Sequence, residues 1–192
     1  MKTLLILLSL LSPKPDCLEL DIMLIGDFST STDGHQVNTA EAFQAFANRF
    51  QLSETGVKMG LIVFGSDCEI VTPLTSSSVE LSHGIEILKS HEAMGSTNMN
   101  SALQLATVEL MKGRQVQKVI ILISDGLPDN QEGTLKTAND LKTILGYTIC
   151  TVLVTASSTD EVLLTKVASV GGYVRTDYEG LASVIESLNI CL

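Results

Sequence analysis

The chain of 192 residues has no tryptophan, only 4% aromatic residues, and 12 lysines and arginines against 22 aspartates and glutamates. So few rings provide no cation–π or base-stacking surface. The shortage of basic residues leaves a formal net charge of −10, which repels phosphate backbones and anionic lipid and removes nucleic acid and membrane surfaces from the candidate partners. Cysteine is scarce, with four residues and no C-x-x-C pair, so no zinc-type spacing is present. The sequence also lacks an N-x-Ser/Thr sequon, an internal repeat, a low-complexity segment and a linker.

What is present is ordinary globular material, 45% hydrophobic, in a chain long enough for one domain to bury about 70% of its unfolded surface. The N-terminus reads "MKTLLILLSLLSPKPD". One lysine precedes the apolar run "TLLILLSLLS", which stops before Pro13 and Pro15. The run is too short to span a bilayer and has the form of a secretory signal peptide, so residues 1–16 are expected to be a signal and residues 17–191 the folded domain. Membrane insertion is not expected. Cys17 and Cys191 stand at the two ends of that domain. In an oxidising compartment a bridge between them would close a very long loop, worth roughly 4 to 5 kcal/mol in the chain-entropy model. Cys150 lies in "YTICTVLV" and reads as a small buried hydrophobe, while the pattern leaves Cys68 undecided.

The hydrophobic period alternates between two types. "LDIMLIG", "VKMGLIVFG", "CEIVTPL", "QKVIILIS" and "YTICTVLV" have strand length, with "GGYVRT" as a weaker last strand. Helical spacing fills residues 37–50, 77–90, 99–112 and 131–145, then "STDEVLLTKVAS" and the closing "YEGLASVIESLNI". Strands alternating with helices predict a doubly wound α/β domain. Its sheet is expected to be six-stranded and mostly parallel, with one antiparallel edge strand and helices on both faces.

In such sheets ligands collect at the carboxyl ends of the strands, where strand order reverses. The first strand ends in "GDFSTS", with Asp27, Ser29 and Ser31. The strand "KVIILIS" ends in "DGLPDN", with Asp125. Between them "GSTN" opens a helix and supplies Thr97. All five side chains offer oxygen, a donor set that suits Mg²⁺, Mn²⁺ or Ca²⁺ and argues against zinc or copper.

Asp-x-Ser-x-Ser after the first strand, a Thr in a Gly-containing loop before a helix, and Asp-Gly after a central strand together resemble the metal-ion-dependent adhesion site of von Willebrand factor type A domains. The resemblance covers about residues 17–191. It implies that Ser29 and Ser31 coordinate a cation directly, that Thr97 does so directly or through water, and that Asp27 and Asp125 act mainly through water. Neutral ligands leave a cation electrophilic, so the implied partner is a protein offering an Asp or Glu carboxylate, met outside the cell. Phe28, Thr30, Met94 and Met99 are expected to form the rim that a partner fits.

Two departures from the family pattern adjoin the motif: Gly26 stands where a larger apolar residue is usual, and Phe28 where a small one is common. Asp129, His35, His83 and His91 read as solvated surface. An intracellular scaffold with the same fold is the alternative if residues 1–16 are not a signal. A Mg²⁺-dependent phosphohydrolase of the haloacid-dehalogenase type is disfavoured, because Ser29 stands where that family needs a carboxylic acid for proton transfer.

Overall fold

The computed structural model describes residues 19–154 and 161–183. The six strands are β1 (Leu20–Asp27), β2 (Val57–Phe64), β3 (Cys68–Thr75), β4 (Gln117–Ser124), β5 (Thr148–Val154) and β6 (Tyr173–Thr176). The helices are α1 (Gln36–Ala47), α2 (Ser78–Leu88), α3 (Met99–Met111), α4 (Gln131–Thr143) and α5 (Glu161–Val167). The expected elements are all found within these bounds, except that the last helix is described only at its start, residues 181–183. The signal-like segment, Cys17 and Cys191 lie outside the described residues. Cys68 and Cys150 are free thiols, the first half-buried and the second buried as expected.

Strand order is β3-β2-β1-β4-β5-β6, and every neighbouring pair is parallel except β2 with the edge strand β3. Pro73 sits in β3, where a missing N–H is tolerated because an edge strand has a free side. The β2–β3 register shifts between Met59 and Ile62, consistent with that interruption.

β1 and β4 are apolar on both faces because helices cover both. Ile22, Leu24, Val119 and Ile121 enter the core under α1 and α2, with Phe43, Phe46, Leu81 and Ile85. Met23, Ile25, Ile120 and Leu122 enter the core under α3, α4 and α5, with Leu103, Leu110, Leu141 and Leu164. Local caps start the helices: Ser77, Asn98 and Asn130 each accept a backbone N–H three residues on.

The amino end of β1 carries a buried charge. Asp21 is fully buried and accepts from Lys118 Nζ at 2.5 Å and from Arg114 Nη2 at 2.8 Å. Arg114 also donates to the carbonyls of Leu20, Glu54 and Gly56, so it ties β1 to the β2 approach. Gly113 is required beside this pair, since a Cβ there would lie 2.4 Å from an Asp21 carboxylate oxygen. Removing the carboxylate leaves Lys118 and Arg114 with backbone carbonyls as acceptors but no counter-charge. Asp21→Ala should therefore cost about 3–5 kcal/mol, read as a lowered urea midpoint.

Candidate metal centre

β1 pairs with β2 on one side and β4 on the other, so the strand order reverses between β1 and β4. The loop after β1 leads to α1 on one face and the loop after β4 leads to α4 on the other. The two loops part at the carboxyl ends of their strands, and the predicted ligands lie there.

Asp27, the last residue of β1, is only 3% exposed. Its Oδ1 accepts the Ser29 N–H at 2.9 Å, and its Oδ2 accepts the Ser124 hydroxyl at 2.5 Å. The chain then enters a 3-10 turn over Thr30–Thr32, clamped by the Thr32 hydroxyl on the Ser29 carbonyl at 2.8 Å. This turn brings Ser29 Oγ within 3.1 Å of Ser31 Oγ, and Ser31 Oγ donates to Asp125 Oδ1 at 3.0 Å. The single Ser31 proton goes to Asp125, and the Ser29 hydroxyl lies within reach of both Ser31 Oγ and the Asp27 carboxylate. Two loops separated by 94 residues therefore share one polar cluster.

Thr97 arrives on a third loop. It is half-buried, and its backbone is fixed to the β4–α4 loop: Asp129 N–H donates to the Thr97 carbonyl at 3.0 Å, and Thr97 N–H donates to Asp129 Oδ1 at 3.3 Å. The described hydrogen bonds join Asp27, Ser29, Ser31 and Asp125 and do not include the Thr97 hydroxyl. Thr30 links the first loop to the third, its N–H and hydroxyl both donating to the Gly95 carbonyl at 2.8 and 3.1 Å.

The expected rim needs correction at two residues. Phe28 is 1% exposed and Met99 is fully buried, so neither faces a partner. Strand alternation stops at Asp27, and the Phe28 backbone is held on both sides, its N–H by the Phe64 carbonyl and its carbonyl by the Met94 N–H, both at 2.7 Å. The ring packs edge-on against His91, with centroids 5.2 Å apart. Met99 opens α3 on its inward face, with Ile25 and Phe64 in the same core. Thr30 is exposed, and Met94 is half-buried against the core.

The departures at Gly26 and Phe28 form one exchange. A Cβ on Gly26 would lie 3.0 Å from the Phe28 ring and 3.3 Å from that of Phe43. The Phe28 ring thus lies in the space that a side chain at position 26 would enter. Phe28→Ala should cost about 3–5 kcal/mol of stability, whereas Thr30→Ala should leave the thermal midpoint essentially unchanged; thermal unfolding of both variants checks the assignment.

Three contributors escaped the sequence reading. Ser124 donates to Asp27, and Asp129 fixes Thr97. Tyr178, after β6, stacks on His35 at 3.8 Å with the rings nearly parallel, so His35 is not simply solvated. Burial, and then the charges of Asp125 and Asp27, push the Tyr178 phenol up, which puts it within electrostatic reach of the cluster.

Burial also dominates at Asp27, raising its carboxyl from 3.8 to about 6 despite the hydroxyl and amide bonds that favour the anion. In the cation-free domain the fold holds this proton more tightly than the unfolded chain. The stability it confers is full below about pH 4 and lost as pH rises through 6. The gap between 3.8 and about 6 corresponds to ~3 kcal/mol. Relative to Asp27→Asn, the cation-free wild type should lose stability by that order between pH 4 and 7, as measured by urea unfolding.

Among the described residues no group of three or more His, Cys, Asp and Glu is placed to hold a metal. The cluster has two carboxylates, and hydroxyls make up the rest. This chemistry fits a divalent cation held by oxygen. The chain is thus a doubly wound α/β domain with an all-oxygen cluster at its switch point.

The family model for the von Willebrand factor type A domain matches residues 21–187, and the chain belongs to that family. Its fold is similar to proximal thread matrix protein 1 from the mussel byssus, with a TM-score of 0.79 at 20% identity, covering 88% of this chain and 45% of that one. The chain therefore spans under half the length of the mussel protein. It is also similar to a manganese-loaded TRAP protein of Plasmodium vivax, with a TM-score of 0.72 at 19% identity over 87% and 72% of the two chains. A further structure of the mussel protein has a zinc-occupied MIDAS motif, with a TM-score of 0.77 at 21% identity over 89% and 45%.

Proposed function

We propose that this domain is a secreted adhesion or ligand-binding module, not an enzyme, in which a divalent cation held by Ser29, Ser31, Thr97, Asp27 and Asp125 receives an Asp or Glu carboxylate of a protein partner. The observation that carries this reading is the hydrogen-bonded run from Ser29 through Ser31 to Asp125, which joins the two strand-end loops of the switch point. Family membership supports it, as do the manganese and zinc found in similar folds. Mg²⁺ is the proposed physiological ion, with Mn²⁺ or Ca²⁺ as substitutes.

A cation bound here supplies an electrophilic centre with a position for a carboxylate oxygen. The chain's own residues do the rest. Asp27 is buried and fixed by Ser124 and by its own loop, so it holds negative charge beneath the two hydroxyls. Asp129 holds the Thr97 loop beside them, and Thr30 presents the exposed edge. Secretion follows from reading residues 1–16 as a signal and residues 17–191 as the mature domain, with Cys17 and Cys191 bridged. Such a bridge would tether the final helix and make the domain a constitutive binder. Among the described residues no helix is long and apolar enough to cross a membrane.

Titration with Mn²⁺ by calorimetry should show one site per chain, absent in Asp125→Ala and weakened at least about tenfold in Ser31→Ala, with both variants keeping the wild-type thermal midpoint in chelator. Capture of partners from extracellular material in Mg²⁺ should be abolished by EDTA. Capture that survives both EDTA and Asp125→Ala rules out the cation mechanism.

A further inference from the structure

The surface around this cluster is almost uniformly anionic. Besides the two site carboxylates, the loops at this end (residues 28–35, 65–67, 89–98, 125–130 and 177–180) carry Asp33, Asp67, Glu92, Asp129, Asp177 and Glu179. The same loops contain one lysine and no arginine. That residue, Lys89, is paired with Glu86 at 2.7 Å.

The loops form one continuous surface. Thr30 N–H binds the Gly95 carbonyl at 2.8 Å, Ser66 N–H binds the Met94 carbonyl at 2.6 Å, and Asp129 N–H binds the Thr97 carbonyl at 3.0 Å. The 177–180 loop joins through the His35–Tyr178 stack. Where these acids have partners, the partners are neutral: Gln36 Nε2 on Asp33 at 2.9 Å, Thr97 N–H on Asp129 at 3.3 Å, and Gly180 N–H on Asp177 at 2.7 Å. Among the described residues none of the six forms an ion pair with lysine or arginine.

Lys58, Lys112, Arg114 and Lys118 gather instead at the far end of the sheet, where they pair with Glu54, Glu109 and Asp21, the last shared by Arg114 and Lys118. Among the described residues, single unpaired acids such as Glu19, Glu41 and Glu80 lie elsewhere, but six acids without a lysine or arginine partner gather on the loops around the cluster.

An isolated carboxylate approaching this end meets repulsion from the whole rim before it feels a cation at the centre. A carboxylate with cationic neighbours is drawn in by the same field and can place its flanks on the rim acids. We infer that the partner segment is an Asp or Glu flanked on both sides by lysine or arginine. This rests on the reading of the site as a cation-borne carboxylate receptor, and specifies the sequence around the carboxylate.

The test uses three fluorescent peptides in Mn²⁺, followed by polarisation. The first has a central Glu with Lys/Arg flanks, the second the same flanks with Gln at the centre, and the third a central Glu with Asp/Ser flanks. The first should bind at least about tenfold more tightly than the third at low salt, and the advantage should shrink toward unity near ~1 M salt, where charges separated by more than about 3 Å are screened. The Asp33→Lys/Glu92→Lys/Glu179→Lys variant should reverse the order of the first and third. Equal binding of those two, an order unchanged in the triple variant, or no binding of the first peptide overturns the inference. A Gln peptide that binds as well as its Glu counterpart, or binding that persists in EDTA, overturns the carboxylate-receptor reading instead, because the flank preference is scored separately by the triple variant.

Discussion

The reversal of strand order between β1 and β4 is the constraint on which the functional end depends. A central strand paired on both sides must be apolar on both faces, and β1 is buried along its whole length. Its only polar residues, Asp21 and Asp27, lie near its two ends. Because the following loop turns toward α1 while that after β4 turns toward α4, the crevice between them is lined by loop side chains and not by helix backbone. Short side chains from both loops can then meet in it, and the Ser31 to Asp125 bond is the contact that closes the gap.

The two buried aspartates of β1 are stabilised by opposite means. Asp21 is paired with two protein cations, so its charge is more than compensated. Asp27 has hydroxyls and an amide as donors and no cation beside it among the described residues, so burial raises its pKa. The same sheet thus finishes one end as structure and leaves uncompensated charge at the other. A bound cation would relieve the cost of keeping Asp27 ionised, and would thereby couple folding to cation binding through this carboxylate.

Much of this was legible in the sequence because it rests on period and position. The two-sided apolar runs identified β1, β4 and β5 as central strands, and the strand-end rule led to Asp27, Ser29, Ser31 and Asp125. Illegible features depended on contacts distant in sequence. Nothing local marks Ser124 as the donor to Asp27, or Asp129 as the anchor of Thr97. Phe28 and Met99 were assigned to the rim because they adjoin the motif. Their burial follows from where the chain leaves the strand and from which face of α3 turns inward. Tyr178 reaches its place through the loop after β6, whose Tyr178 carbonyl accepts from the Asn38 side-chain amide at 3.4 Å.

The exchange of bulk between positions 26 and 28 has an evolutionary consequence. A large residue at 26 and a small one at 28, or the reverse, fill the same space, but the intermediates do not: large at both overfills it and small at both leaves a void. A lineage passing from one arrangement to the other must cross a less stable intermediate or change both positions together. In this chain the two positions are sterically coupled: bulk added at 26 meets the Phe28 ring. Position 30, on the exposed side of the same motif, has no such steric coupling; its side-chain tie is the hydroxyl bond to the Gly95 carbonyl.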